Sequence, residues 1–398
     1  MRSLGIYVQV PFCQTKCTYC NFHTGVVARD RFAPYVEAVC QEIREHRELL
    51  RGAGIRLGAS CKLRDDSQEW LSHRVDTVYF GGGTPSLLEA EDLGEVLGAI
   101  QGAFNSELAE VTLEADPETV EQEKAAAWVS AGINRVSFGV QSFSDKELTA
   151  AGRMHRRADI YRAVPILRVA GIRNVSFDLI AGLPHQTRES WERSLEELIA
   201  MGPEHVSIYL LEVDEGSRLG KELLRGGVRY SAGAVPSEDE MAGFYELAQA
   251  RLRDVGYHHY EISNWAKPGF ESIHNLKYWC REPYLGFGAG AHSFSGTQRW
   301  ANAHDAAAYV KAIESGRLPV EQLEEVTAER ALEEELFLGL RQLDGIDVGK
   351  LEREYGVRLE ERFEPLASAG LVERAGSVVR LAEEKLSVSN EVFVELLR

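Results

Sequence analysis

The chain has 398 residues, 44% of them hydrophobic, with 62 acidic against 44 basic side chains and a formal charge of -18. Length and apolar content allow a large core plus an appendage. The acidic balance excludes broad nucleic-acid binding, which needs a basic face, and an electrostatic membrane anchor. No stretch approaches the roughly 18 to 20 continuous apolar residues that span a bilayer. The opening MRSLGIYVQVPFC is too short for a signal peptide, so a cytoplasmic protein is expected. Six cysteines in a chain of this length are not a disulfide framework. In a reducing compartment, clustered cysteines more often bind metal.

In chain order, short apolar runs alternate with helical stretches. The strand candidates are IYVQV (6–10), TVYF (77–80), VTLEA (111–115), VSFGV (136–140), VSFDLI (175–180) and VSIYLL (206–211). Segments such as EDLGEVLGAIQGAF (91–104) and SWERSLEELIAM (190–201) between them are amphipathic. This alternation implies βαβ units on a parallel sheet. The expected fold is α/β, a partial (β/α)6 TIM-like barrel over residues 1–215. Residues 52–74, rich in Gly, Arg and Ser and holding Cys61, read as a surface loop; Cys40 and Cys61 read as ordinary thiols. The clean alternation ends after residue 214, so 216–320 read as a linking α/β region. From 321 the chain is acidic, with helical patterns over 327–342 and 347–369, a hairpin in LVERAGSVVRL and a last helix. That order predicts a small helical, winged-helix-like domain over 321–398. Such modules often bind DNA, but the acidic balance points here to packing or protein contact.

Chemistry concentrates at VPFCQTKCTYCNF, where Cys13, Cys17 and Cys20 follow the first strand directly. In parallel barrels, the C-terminal strand ends are where chemistry is done. Thiolates at this spacing can wrap one face of a small inorganic cluster. A cubane normally takes four thiolates, so three leave one iron open to the amino and carboxylate groups of S-adenosylmethionine. Electron transfer to the sulfonium would then split that cofactor. The competing reading is a structural zinc site completed by His23. Zinc prefers four closed ligands, usually from two separate dyads, and no second dyad exists.

This triad resembles the signature of the radical S-adenosylmethionine enzymes. Gly81-Gly82-Gly83-Thr84-Pro85 follows the second strand, where glycines permit close backbone approach to a ligand. The resemblance implies contact of Gly82, Gly83 and Thr84 with the methionyl part of the cofactor. It also carries cofactor-binding roles over to Tyr7, Tyr19, Glu114, Gln141, Arg153 and Asp178. On the period-two rule Asp178 shares a strand face with Ser176 and Ile180 and is expected to be buried. Arg153 would suit the cofactor's carboxylate.

More narrowly, the chain resembles the coproporphyrinogen-dehydrogenase-like family, in the heme-chaperone branch called HemW. The decarboxylating branch is expected to carry a further cysteine two residues past the triad, where this chain has Phe22, and a long N-terminal extension before the first strand. His274-Asn275-Leu276-Lys277-Tyr278-Trp279 matches the H-N-x-x-Y-W motif of the chaperone branch. The resemblance implies a [4Fe–4S] cluster, S-adenosylmethionine and heme. His274 and Tyr278 are the candidate heme ligands, both residue types being known axial ligands; the other reading of this run is a polar core cluster. Partners would be heme and heme-requiring apo-proteins such as respiratory enzymes, with transient contact to membrane proteins. Three other functions stay open: a radical decarboxylase of coproporphyrinogen III, an anaerobic heme-degrading methyltransferase, and a non-enzymatic protein-contact module.

Overall fold

The computed structural model of the protein describes residues 3–55 and 74–396. The segment read as a loop with Cys61 lies largely outside the described residues. Six parallel strands form the centre: β1 (Ser3–Val10), β2 (Arg74–Gly82), β3 (Ser106–Ala115), β4 (Arg135–Gln141), β5 (Asn174–Ala181) and β6 (His205–Leu210). Each pairs with the next in chain order. Parallel neighbours need crossovers, which the helices Phe32–Gly52, Ala90–Ala103, Gln122–Ala131, Arg157–Ala170 and Arg188–Met201 supply. Because helices cover the outer face, the strands read as near-continuous apolar runs. Phe80, Phe138 and Phe177 are fully buried there.

The stretch after β6 contributes to the same sheet at both edges. β7 (His258–Glu261) and β8 (Asn264–Ala266) extend it beyond β6 as an antiparallel pair. β9 (Tyr284–Phe287) instead returns to the opposite edge and pairs parallel to β1. β10 (His292–Phe294), β11 (Gln298–Asn302) and β12 (Val320–Glu325) then follow antiparallel. The result is one twelve-stranded sheet whose first-strand neighbourhood is built from both ends of the barrel sequence.

The C-terminal unit packs helices against a three-stranded sheet of β13 (Ile346–Asp347), β14 (Val372–Ala375) and β15 (Val378–Leu381). The helical pattern over 347–369 is two helices, Val348–Tyr355 and Glu360–Ser368. Gly356, at φ 67°, ends the first in the left-handed conformation that glycine adopts without a Cβ clash. Leu332, Leu336 and Val379 belong to the same buried cluster as the barrel core. Arg341 Nη2 meets buried Glu261 Oε1 at 2.6 Å across this junction.

The edge that returns to β1 is fastened by one buried carboxylate. Glu42, in the helix Phe32–Gly52, is 2% exposed. It accepts from Tyr309 Oη at 2.5 Å, the Gly288 amide at 2.9 Å and Asn302 Nδ2 at 2.8 Å. Burial pushes its carboxyl up to about 7 from an ordinary 4.5, against the lowering effect of these donors. Replacing Glu42 with Leu strands three buried donors and is expected to cost about 3 kcal/mol or more in urea unfolding. The raised value also fixes a sign. Between 4.5 and about 7 the folded state holds the proton more often than the unfolded state, so this group's contribution to stability falls as pH rises through that window. Wild type should therefore gain stability relative to Glu42→Gln on acidification across it; a pH-independent difference would contradict the assignment.

Candidate functional site

The strand register aligns the C-terminal ends of the barrel. Val10 pairs with Gly82, Ala115 with Phe138 and Ala181 with Leu210. Above these ends lies an open cavity of about 570 Å³ whose walls include Cys13, Cys17 and Cys20. The glycine loop is fixed to the cysteine loop through backbone. The Gly83 amide donates to Val10 O at 2.8 Å and the Thr84 amide to Phe12 O at 2.7 Å. A Cβ on Gly83 would meet Phe12 O and lie 2.8 Å from Val10 O, and one on Gly82 would strike Gln9. Gly82 sits at φ 107°, so both positions require glycine.

Of the cofactor residues named from sequence, Tyr19, Gly82, Gly83, Thr84, Glu114, Gln141, Arg153 and Asp178 line this cavity. Tyr7 lies instead on a neighbouring cavity of about 400 Å³ and donates to Gln9 Oε1 at 2.9 Å. Glu114 accepts from Tyr79 Oη at 2.9 Å and from the Gly82 amide at 3.0 Å. Burial, with the charge of Asp178 adding to it, pushes Glu114 up to about 7 against the Tyr79 hydrogen bond. Asp178 is also raised by burial, and Ser137 donates to it at 3.1 Å. Gln141 holds φ 62° at the end of β4, and its Oε1 is buried without a protein partner. A strained backbone presenting an unsatisfied amide oxygen beside a cavity is the pattern of a ligand site.

Arg153 is engaged by protein groups. Its Nη2 pairs with Asp116 and donates to Gly139 O at 2.8 Å, while Nη1 lies 3.5 Å from Cys17 Sγ. The guanidinium thus ties β3 and β4 to the cysteine loop, and Asp116, which sequence reasoning noted only as the end of a strand, is its main partner. The signal available was the carboxylate directly after VTLEA.

The residues fit an iron–sulfur cluster better than a single metal ion. Cys13, Cys17 and Cys20 are unpaired thiols, partly exposed on one loop. Burial raises the pKa of Cys13 and of Cys20, and a bound metal would displace their protons. The competing zinc reading needs His23 as a fourth ligand. The His23 ring instead stacks on His304 at 3.9 Å. The buried, unpartnered Gln141 oxygen and the glycine cradle are what a small polar cofactor next to the thiols would use.

The H-N-x-x-Y-W motif reaches from the N-terminal half of the barrel to the first cavity, whose wall includes Asn275. Its helix, Ile273–Trp279, is anchored by Glu110, which accepts from the Ile273 and His274 amides at 3.0 Å each. Lys277 is 4% exposed and pairs with Asp76 at 3.0 Å. His274 is 1% exposed. Its Nδ1 bonds Thr77 Oγ1 at 2.9 Å and its Nε2 bonds Tyr278 Oη at 2.8 Å. Burial lowers its pKa to about 3, with Lys277 and Arg135 contributing. Both ring nitrogens are engaged and the ring lines neither cavity, lying instead against the N-terminal halves of β1–β3. Tyr278 does line the second cavity. That cavity shares Phe22, Gly82 and Glu114 with the first.

Comparison with known proteins agrees with this geometry. The model of the Radical SAM superfamily matches residues 63–198 and that of the HemN C-terminal domain residues 326–384. Coproporphyrinogen III oxidase (HemN) from Escherichia coli, a radical SAM enzyme, superposes with a TM-score of 0.81 over 99% of this chain and 90% of its own, at 21% identity, which establishes the shared fold. Heme chaperone HemW of Bacillus subtilis is 34% identical over 393 residues, covering 97% of each chain. The HemW of Mycobacterium tuberculosis is 34% identical over 397 residues, covering 100% of this chain and 95% of its own. At this identity over nearly the full length of both sequences, the chain belongs to the HemW family of the radical S-adenosylmethionine superfamily.

Proposed function

We propose that the protein is a heme chaperone that carries a [4Fe–4S] cluster on Cys13, Cys17 and Cys20 and binds S-adenosylmethionine in the adjoining cavity. It delivers heme to apo-proteins such as respiratory enzymes. The observation that carries this reading is the pair of joined cavities. One is bordered by three thiols together with carboxyl and amide side chains; the other has aromatic and histidine walls, and Phe22 lines both. In the decarboxylating relatives that position is expected to be a cysteine. Here it is a side chain 64% exposed, suited to an apolar macrocycle and unable to ligate iron. The relatives named as heme chaperones match over the full length.

When bound, the cluster and S-adenosylmethionine together supply one-electron chemistry. The chain's own residues do the positioning. Gly82, Gly83 and Thr84 bring backbone against the cofactor, and Gln141 offers its free oxygen. Glu114, pushed up to about 7, can donate as well as accept, and Asp178 presents a second carboxyl group. Tyr19 walls the site and Tyr7 borders the second cavity, while Arg153 holds Asp116 and Cys17 in register. The C-terminal unit reaches the same cavity through Leu386, Ser389 and Asn390, which places it to shield the site from water. Among the described residues no helix is long and apolar enough to cross a membrane. In this reading the chain works from the cytoplasm and meets membrane-bound recipients transiently.

Anaerobic reconstitution should give about four irons per chain. Cys13→Ala, Cys17→Ala and Cys20→Ala should each lose most of the iron and its visible absorbance, while Cys40→Ala and Cys280→Ala keep both. Gly83→Ala should behave like the cysteine variants, because its Cβ would push on the backbone of the cysteine loop; a full complement of iron in that variant would sink the cradle reading.

Titration of the reconstituted protein separates the functions. Hemin should bind and shift its Soret band. Coproporphyrinogen III with reductant and S-adenosylmethionine should give no protoporphyrinogen above background. Product formation, or hemin spectra unchanged by protein, would contradict the chaperone reading. Conversion of bound heme to a linear tetrapyrrole would favour the degrading methyltransferase.

A further inference from the structure

The second cavity carries a histidine cluster that the H-N-x-x-Y-W motif does not include. His23, His292 and His304 all line it, together with Phe22, Tyr278 and Tyr284. They come from three separate places in the chain: the cysteine loop, the start of β10 and the segment after β11. Each buried histidine elsewhere bonds through at least one ring nitrogen, and His205 and His274 through both, although His155 Nδ1 is buried without a hydrogen-bond partner. His46 bonds Ile43 O, His155 bonds Val140 O, His205 bonds Ser176 and Tyr260, and His274 bonds Thr77 and Tyr278. Among the described residues, no ring nitrogen of His23, His292 or His304 has a hydrogen-bond partner. The nearest approach is Glu321 Oε2, 3.8 Å from His304 Nε2. His304 Nδ1 is buried with no partner at all. Burial lowers the pKa of His292, with His304, Arg299 and His23 adding to it, which keeps that imidazole in its neutral, ligating form.

Three free imidazoles in a cleft suggest an ion site, yet no three His, Cys, Asp or Glu side chains among the described residues are placed to close on one ion. A heme iron removes that difficulty. The porphyrin occupies the equatorial positions and asks the protein for only one or two axial ligands. The rest of the wall suits such a ligand. Tyr278 and Tyr284 meet edge to face at 4.6 Å, and Phe22 exposes its ring beside them. Aromatic walls with a few convergent polar groups are the ordinary make-up of a cofactor cleft. Glu321 stands behind His304, where a carboxylate can orient a ligating imidazole.

We infer that heme is ligated in this second cavity by the His23, His292 and His304 cluster, and that His274 is a structural plug. The assignment rests on the heme-chaperone reading and adds the ligand to it. It also explains why the cavities adjoin: His23 lies on the same loop as the thiols, so heme and cluster would be neighbours.

The test is hemin titration of the cluster-reconstituted full chain, read by Soret absorbance and by the electron paramagnetic resonance of the ferric heme. Wild type should show an imidazole-ligated heme. The triple variant His23→Ala, His292→Ala, His304→Ala should lose that signature and bind hemin at least roughly 10-fold more weakly, on the scale of ligand-shell losses. Free imidazole should restore the ligand signature to the triple variant, a rescue that a merely misfolded protein would not show. His274→Gln, with circular dichroism unchanged, should keep the wild-type spectrum. An intact imidazole signature in the triple variant overturns the assignment alone, as does its loss in a well-folded His274→Gln. A wild-type chain that leaves hemin spectra unchanged overturns both the assignment and the chaperone reading beneath it.

Discussion

Two backbone hydrogen bonds set the geometry of the upper barrel: Gly83 N–H to Val10 O at 2.8 Å and Thr84 N–H to Phe12 O at 2.7 Å. They hold the loop after β2 directly against the loop that carries the thiols. No side chain larger than hydrogen fits at Gly83, since its Cβ would press on carbonyl oxygens, which cannot rotate away as a flexible side chain can. The second fastening is electrostatic. Arg153 bridges Asp116, Gly139 O and Cys17, so the loop is held from both sides by groups on different strands. The loop is thereby positioned without the cluster, which reduces the ordering cost when a cofactor binds.

The upper barrel and its chemistry were legible in the sequence because each signal was local. Five of the six apolar runs fall within central strands and the sixth overruns β6 only by Leu211, since a buried parallel strand must be apolar on both faces. The thiols, the glycines and Asp178 sit at or near strand ends, and alternation alone gave Asp178 its face. The edge strands were less legible. β9 lies 279 residues along the chain from its register partners yet pairs beside β1, a long-range choice that no local pattern records. The split of 347–369 into two helices was missed because Gly356, tolerable inside a helix at modest cost, here ends one.

His274 shows a different limit. A histidine in a polar, aromatic run has the composition of a ligand site and equally that of a satisfied core cluster. The sequence does not show the placement of its two nitrogens, which bond Thr77 and Tyr278. The cluster of His23, His292 and His304 was illegible for the opposite reason. Each residue is alone in its own segment, and the sheet edge that returns to β1 brings them together.

That returning edge also connects stability to the site. Glu42 binds Gly288 and Asn302, which flank the turn from β9 to β10 and the end of β11. His292 begins β10 and His304 follows β11 by two residues. The buried carboxylate therefore fixes the walls of the second cavity while the glycine loop fixes those of the first. Phe22, Gly82 and Glu114 belong to both, so a displacement of the cysteine loop alters each. The thiol-lined cavity and the aromatic one thus share walls, and a ligand in either would border residues that line the other.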